Sequence, residues 1–162
     1  MFACATVKGI SPFTSSINIE LECFFTQIYQ KITIKNIYTR TIFIDTGFLD
    51  GGFNITKTLD SITLFSIKNL DSISVAIYGA YDEEAGVYIN GYYQYLATSN
   101  WWNYQGNRYF GTRQINQSII NSLKQSNSNI LNLVLRVYDP GGLGGGGGAR
   151  GYMIFTITEI SP

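Results

Sequence analysis

The sequence predicts an all-β fold, a sandwich or a barrel, on three observations. Short apolar stretches alternate between two faces with a period of two along much of the chain. Clusters of Asp, Asn, Ser and Gly punctuate those stretches at close spacing, which favours packed strands over alternating helix and strand units. One stretch, residues 114–124, spaces its apolar side chains with helical period instead. At 162 residues and 45% hydrophobic the chain is long enough to bury a core without staples, and it fits one domain, residues 1–162. No fixed-period repeat and no charged or proline-rich linker divides it.

Taken in order, residues 16–25 set Ile17, Ile19, Leu21 and Cys23 against Asn18, Glu20, Glu22 and Phe24, the pattern of a half-buried strand. Residues 31–37 repeat it with Ile32, Ile34 and Ile37 inward, and residues 40–44 follow as a separate strand. After a turn at Asp50-Gly51-Gly52, strands are expected at 53–59 and 62–67, bounded by Asp60-Ser61 and Asn69-Leu70-Asp71. In residues 72–81 Ile73, Val75 and Ile77 share a face. Asn90-Gly91 lies between aromatic and β-branched arms, which predicts a two-residue type I′ hairpin turn. Residues 99–108 read as a loop, and Ile115, Ile119, Ile120 and Leu123 predict a short helix. In 130–138, Leu131, Leu133, Leu135 and Val137 oppose Asn132, Val134, Arg136 and Tyr138, marking a core strand. A glycine-rich loop at 141–148 leads to a closing strand at 152–160, with Met153, Phe155 and Ile157 opposite Ile154, Thr156 and Thr158.

Zero net charge and 14% charged residues argue against a nucleic-acid binder, whose affinity comes chiefly from Lys and Arg neutralising phosphates. They argue equally against a polybasic membrane-surface protein. The first residues lack the basic start and apolar run of a signal peptide, and the longest uncharged stretch, 86–107, is too interrupted by Asn, Gln and Gly to span a bilayer. A polar, uncharged surface fits an extracellular protein or a subunit of a large assembly such as a virion. The chain has no histidine, which removes Ser-His and Cys-His nucleophile pairs, the usual zinc site and the commonest general base. Cys4 and Cys23 either pair or lie buried as small hydrophobes.

Asp82-Glu83-Glu84-Ala85-Gly86-Val87-Tyr88-Ile89-Asn90-Gly91, then Arg108-Tyr109-Phe110, the helical stretch, and residues 133–139 with the glycines after them resemble the closing half of galactose-binding-like jelly-roll domains. The resemblance covers about residues 72–160. It implies a jelly-roll β-sandwich of two antiparallel sheets with one short helix near 115–124. It also implies the carbohydrate-binding-module type of function, carried by aromatic and polar loop residues.

Three groups of residues are candidate sites. Trp101 and Trp102, with Tyr92, Tyr93, Tyr95 and Tyr104, form the densest aromatic group, and Asn100, Asn103, Gln105 and Asn107 lie among them. Aromatic faces stack on sugar rings while amides bond hydroxyls; the same residues serve as protein-interface anchors, or one Trp caps the core. The glycines Gly141, Gly142, Gly144, Gly145, Gly146, Gly147 and Gly148, followed by Arg150, lack the Lys-Ser or Lys-Thr and the helix of a phosphate loop. They read either as a spacer or as a loop that packs on a neighbouring subunit. Asp82, Glu83 and Glu84 form a solvated acidic turn or a weak calcium site. No paired carboxylates are assigned to catalysis, and neither sequence nor resemblance calls for a cofactor.

The sequence therefore predicts a non-enzymatic structural or attachment subunit of an extracellular or virion-like assembly, with other protein subunits as partners in a homo- or hetero-oligomer and a cell-surface glycan as a further ligand. A free-standing carbohydrate-binding module is the alternative.

Overall fold

The structure, a computed structural model, describes residues 9–10, 16–17, 33–49, 53–81, 83–99, 108–139 and 147–161. In chain order these form β1 (Gly9–Ile10), β2 (Ser16–Ile17), β3 (Ile34–Leu49), β4 (Phe53–Thr58), β5 (Ile62–Thr63), a 3-10 turn (Ile67–Asn69), β6 (Leu70–Tyr81), β7 (Glu83–Ile89), β8 (Tyr92–Ser99), β9 (Tyr109–Gln114), the helix α1 (Gln117–Lys124), β10 (Ile130–Leu131), β11 (Leu133–Asp139) and β12 (Gly147–Ser161).

Eight of these strands pair as one long hairpin would: β3 with β12, β4 with β11, β6 with β9, and β7 with β8, all antiparallel. Rolling that hairpin brings β12 beside β6 and β11 beside β7. The result is two four-stranded sheets, ordered β3-β12-β6-β9 and β4-β11-β7-β8, the nested pattern of a jelly roll.

Alternation along the central strands supplies the core. Ile73, Val75 and Ile77 of β6 and Met153, Phe155 and Ile157 of β12 are buried on one sheet; Val87 and Ile89 of β7 and Leu133, Leu135 and Val137 of β11 are buried on the other. Each such side chain contributes about 1.5–3 kcal/mol on leaving water. The helix buries Ile119, Ile120 and Leu123 and packs against β6 and the 3-10 turn. The hairpin between β7 and β8 turns at Asn90-Gly91 with φ of 49° and 87°, both positive as a type I′ turn requires.

Five sequence expectations change. Residues 34–37 and 40–44 belong to one strand, because β3 pairs with β12 from Ile34 opposite Ser161 to Leu49 opposite Gly147. Parity set by buried Ile42 and Ile44 turns even positions inward, so Ile37 faces out and Ile34, at the strand tip, is exposed; Ile32 lies outside the described residues. The stretch 62–67 is a two-residue strand running into the 3-10 turn. Strand β9 was not expected, since its residues are mostly exposed and Gly111 interrupts the alternation. Finally, β12 begins at Gly147, five residues before the expected start.

Beyond Tyr78 and Tyr152, β6 and β12 meet at Gly79 and Gly151, directly opposite in register. Their φ values are 124° and 153°, and a Cβ on either would collide with the neighbouring strand's backbone, at the carbonyl of Arg150 or of Tyr78. Only glycine fits both the conformation and the approach.

Candidate functional site

The inward positions of the first sheet fix what its outer face carries. Phe43 on β3 stands opposite Tyr152 on β12, Tyr152 opposite Tyr78 on β6, and Tyr78 opposite Tyr109 on β9. The four rings form an unbroken row across all four strands. Successive centroids are 6.1, 4.8 and 5.0 Å apart, and the Tyr152 and Tyr78 rings are stacked at 11°. That spacing is the distance between strands, so the inner rings turn their faces to one another. The end members remain open: Phe43 is 79% exposed and Tyr109 53%. Next to this row, Thr41, Ile154, Ala76 and Thr112 stand in register, followed by Thr39, Thr156, Ser74 and Gln114. No charge occurs in these three rows. Charge returns at the rim, where Arg150 Nη2 lies 3.1 Å from Asp45 Oδ2. The Gly47 backbone N–H, and then Arg150, hold the Asp45 carboxyl below its ordinary range.

The outer face of the second sheet is organised by Arg136. Its Nε donates to Asn54 Oδ1 at 3.1 Å and its Nη1 lies 3.4 Å from Glu84 Oε1. The guanidinium also lies over the rings of Tyr138 and Tyr93. Tyr93 Oη donates to Glu84 Oε1 at 2.7 Å. To reach it, the Tyr93 ring passes across Gly86, where any Cβ would collide with it. Burial first, and then the adjacent Glu84 carboxylate, push the Tyr93 hydroxyl up to about 12. These side chains satisfy one another, so this face is a locked polar lattice.

A third feature lies where the last strand passes the 3-10 turn. Alternation carries Glu159 inward, and it is 1% exposed. Its carboxylate accepts from Tyr38 Oη at 2.8 Å, Phe65 N at 3.1 Å and Ser66 N at 2.6 Å. Burial, together with Glu159, raises the Tyr38 hydroxyl far above its ordinary value. Asn129 Oδ1 accepts from Ile67 N at 2.8 Å, so two side chains hold the loop. The loop thereby fixes Phe65 in place while leaving it 71% exposed, edge-on to Tyr38.

Of the residues singled out from sequence, Tyr92 and Tyr93 lie on β8, Tyr92 exposed and Tyr93 engaged with Glu84. Trp101, Trp102, Asn103 and Tyr104 lie outside the described residues, as do Gly141, Gly142, Gly144, Gly145, Gly146, Cys4, Cys23 and Asp82. Gly147, Gly148 and Arg150 are strand residues of β12 rather than loop residues. Gly148 pairs opposite Phe48 of β3, and β3 runs so close there that a Cβ would strike the Gly47 carbonyl. Glu84 is likewise not part of a solvated turn; it sits in β7 and binds Tyr93 and Arg136. Among the described residues no three His, Cys, Asp or Glu side chains gather closely enough to hold a metal ion. No helix among them is long and apolar enough to cross a membrane.

Sequence reading missed the aromatic row and the Glu159 clamp. Each ring of the row occupies an outward position of its strand, but only the register reveals that the four are neighbours.

No protein-family model matches the chain, and no curated protein matches it in sequence. Two solved structures of infectious bursal disease virus share a similar arrangement of the chain. The Gt-strain structure matches with a TM-score of 0.42 and 12% identity over 94% of this chain and 43% of that one. The Gx-strain structure matches with a TM-score of 0.41 and 14% identity over 93% and 44%. The chain spans less than half the length of either.

Proposed function

We propose that the protein is a non-enzymatic structural or attachment subunit of an extracellular or virion-like assembly, joined to other subunits through its outer sheet face. The observation that carries this reading is the aromatic row with its charge-free flanking rows. A contiguous apolar and hydroxyl-bearing face of this kind, on a protein with few charges, marks an interaction surface. Burying Phe43 alone would contribute about 2–3 kcal/mol to association. By analogy of fold, jelly rolls serve as building blocks of viral shells and as lectins. Three of the described carboxylates are engaged by neighbours, which supports a non-catalytic role: Glu84 is held by Tyr93 and Arg136, Asp45 by Arg150, and Glu159 by loop amides. Sedimentation velocity across a wide concentration range tests the reading. Reversible or stable oligomers are expected, and a monomer at every concentration would overturn it.

A second reading, a free-standing galactose-binding-like carbohydrate module, draws on Tyr92 and Tyr95, both exposed on the strand that leads towards Trp101 and Trp102. A glycan array on the wild type and on the Trp101→Ala/Trp102→Ala variant separates the two. Sugar binding lost in the variant supports the module, and equal signals remove those tryptophans from it.

A further inference from the structure

We propose that the outer face of the β3-β12-β6-β9 sheet packs against the same face of a second copy of this chain. This rests on the assembly reading and names its partner and surface.

Size is the first argument. Three outward rows span all four strands and one row at each end spans three, so with strands about 4.8 Å apart and rows about 6.6 Å apart the face outlines roughly 570 Å² per copy. Two such faces together bury about 1,100 Å², which clears the roughly 1,000 Å² expected of a specific interface.

Self-complementarity is the second. A face that meets its own copy must tolerate every group it carries, and like charges brought together by a two-fold axis cost several kcal/mol. The three interior rows carry no charge; at one rim Asp45 and Arg150 supply one of each sign, and Lys35 stands at the opposite end of β3. Its interior polar groups at Thr39, Thr41, Thr112, Thr156 and Ser74 are hydroxyls, and Gln114 adds an amide. Each kind both donates and accepts, so an identical group is an acceptable partner. A nucleic acid would demand cations here, and a basic or acidic partner would demand the opposite sign; the face offers neither.

Shape is the third. The stacked inner rings stand between strands, and the flanking rows carry mostly short side chains, Thr, Ser and Ala, with Ile154 and Gln114 the larger members. The ridge on one copy fits the low rows beside the ridge on the other, as side chains interdigitate between packed sheets about 10 Å apart.

The experiment uses the full chain. Sedimentation velocity is run on the wild type, on Ala76→Arg and Thr156→Arg in the flat rows, on Phe43→Ser at the exposed edge, and on Thr56→Arg of the other sheet as a control. Circular dichroism verifies that each variant is folded. The proposal expects a wild-type dimer, dimerisation weakened about a hundredfold by either arginine, weakened about thirtyfold or more by Phe43→Ser, and unchanged in Thr56→Arg. Phe43→Ser, on an edge strand, supplies the answer where a central-strand arginine prevents folding. Oligomers that persist unchanged in every folded face variant would overturn this surface while leaving the assembly reading intact. A monomeric wild type would overturn both.

Discussion

Replacing Glu159 by Gln removes one oxygen from a carboxylate that serves three donors. Oε2 takes Tyr38 Oη and Phe65 N, and Oε1 takes Ser66 N. In whichever way the amide is placed, its NH2 faces at least one donor. The best arrangement forfeits one charge-assisted bond, buries an unsatisfied N–H and weakens the two bonds that remain. The cost is about 3 kcal/mol. For a chain of this size the urea dependence is about 2 kcal/mol per molar, so the unfolding midpoint should fall by about 1.5 M. Tyr38→Phe removes only one of the three donors and should cost about 1 kcal/mol. Because both changes act on one network, the double variant should fall short of additivity by about 1 kcal/mol. Amide hydrogen exchange at Phe65 and Ser66 should accelerate in Glu159→Gln before global unfolding does. A Glu159→Gln midpoint within about 0.3 M of wild type, with additive behaviour, would refute the clamp.

Gly151→Ala should destabilise by about 2–4 kcal/mol, because φ of 153° and the Tyr78 carbonyl both resist a Cβ. Gly111→Ala, with φ of 103° but open space around it, should cost only about 1 kcal/mol, and equal losses in thermal unfolding would contradict the close approach of β6 and β12. Alkaline stability should depend on Tyr93, whose hydroxyl is raised from 10.0 to about 12 in the folded chain. Below about pH 10 both states hold the proton and the contribution is complete. As pH climbs towards 12 the unfolded chain releases its proton first, so stability falls. The raised Tyr38 acts in the same direction. Tyr93→Phe should flatten part of this decline, and an unaltered pH profile would remove the Glu84 contact from the account.

Strand periodicity made much of the sandwich legible. Leu131, Leu133, Leu135 and Val137 are fully buried as their alternation implied, and Asn90-Gly91 turns where its residue types require. The helix was legible from the spacing of Ile119, Ile120 and Leu123, although it begins at Gln117, with Gln114 ending β9 and Ile115 buried ahead of the helix. What escaped was decided between strands rather than along them. The sequence of β3 offers apolar residues at both parities, and only pairing with β12 settles that Ile42 and Ile44 face in. Strand β9 has an exposed outer row and an inward-parity Arg113, whose Nε donates to the Leu96 carbonyl at 2.9 Å. Such a strand carries no alternating apolar signal. Glu159 reads as a surface residue until the bend of the 3-10 turn brings two backbone N–H groups to it. The aromatic row joins residues as far apart in sequence as Phe43 and Tyr152, a proximity that belongs to register alone.

Hydroxyl-radical footprinting at two protein concentrations tests the central claim most directly, since it reads which sheet is covered. At high concentration oxidation of Phe43 and Tyr109 should drop, while Tyr92 and Tyr95 on the other sheet should be oxidised as at low concentration. Unchanged oxidation of Phe43 and Tyr109, or protection confined to Tyr92 and Tyr95, would contradict assembly through the aromatic face.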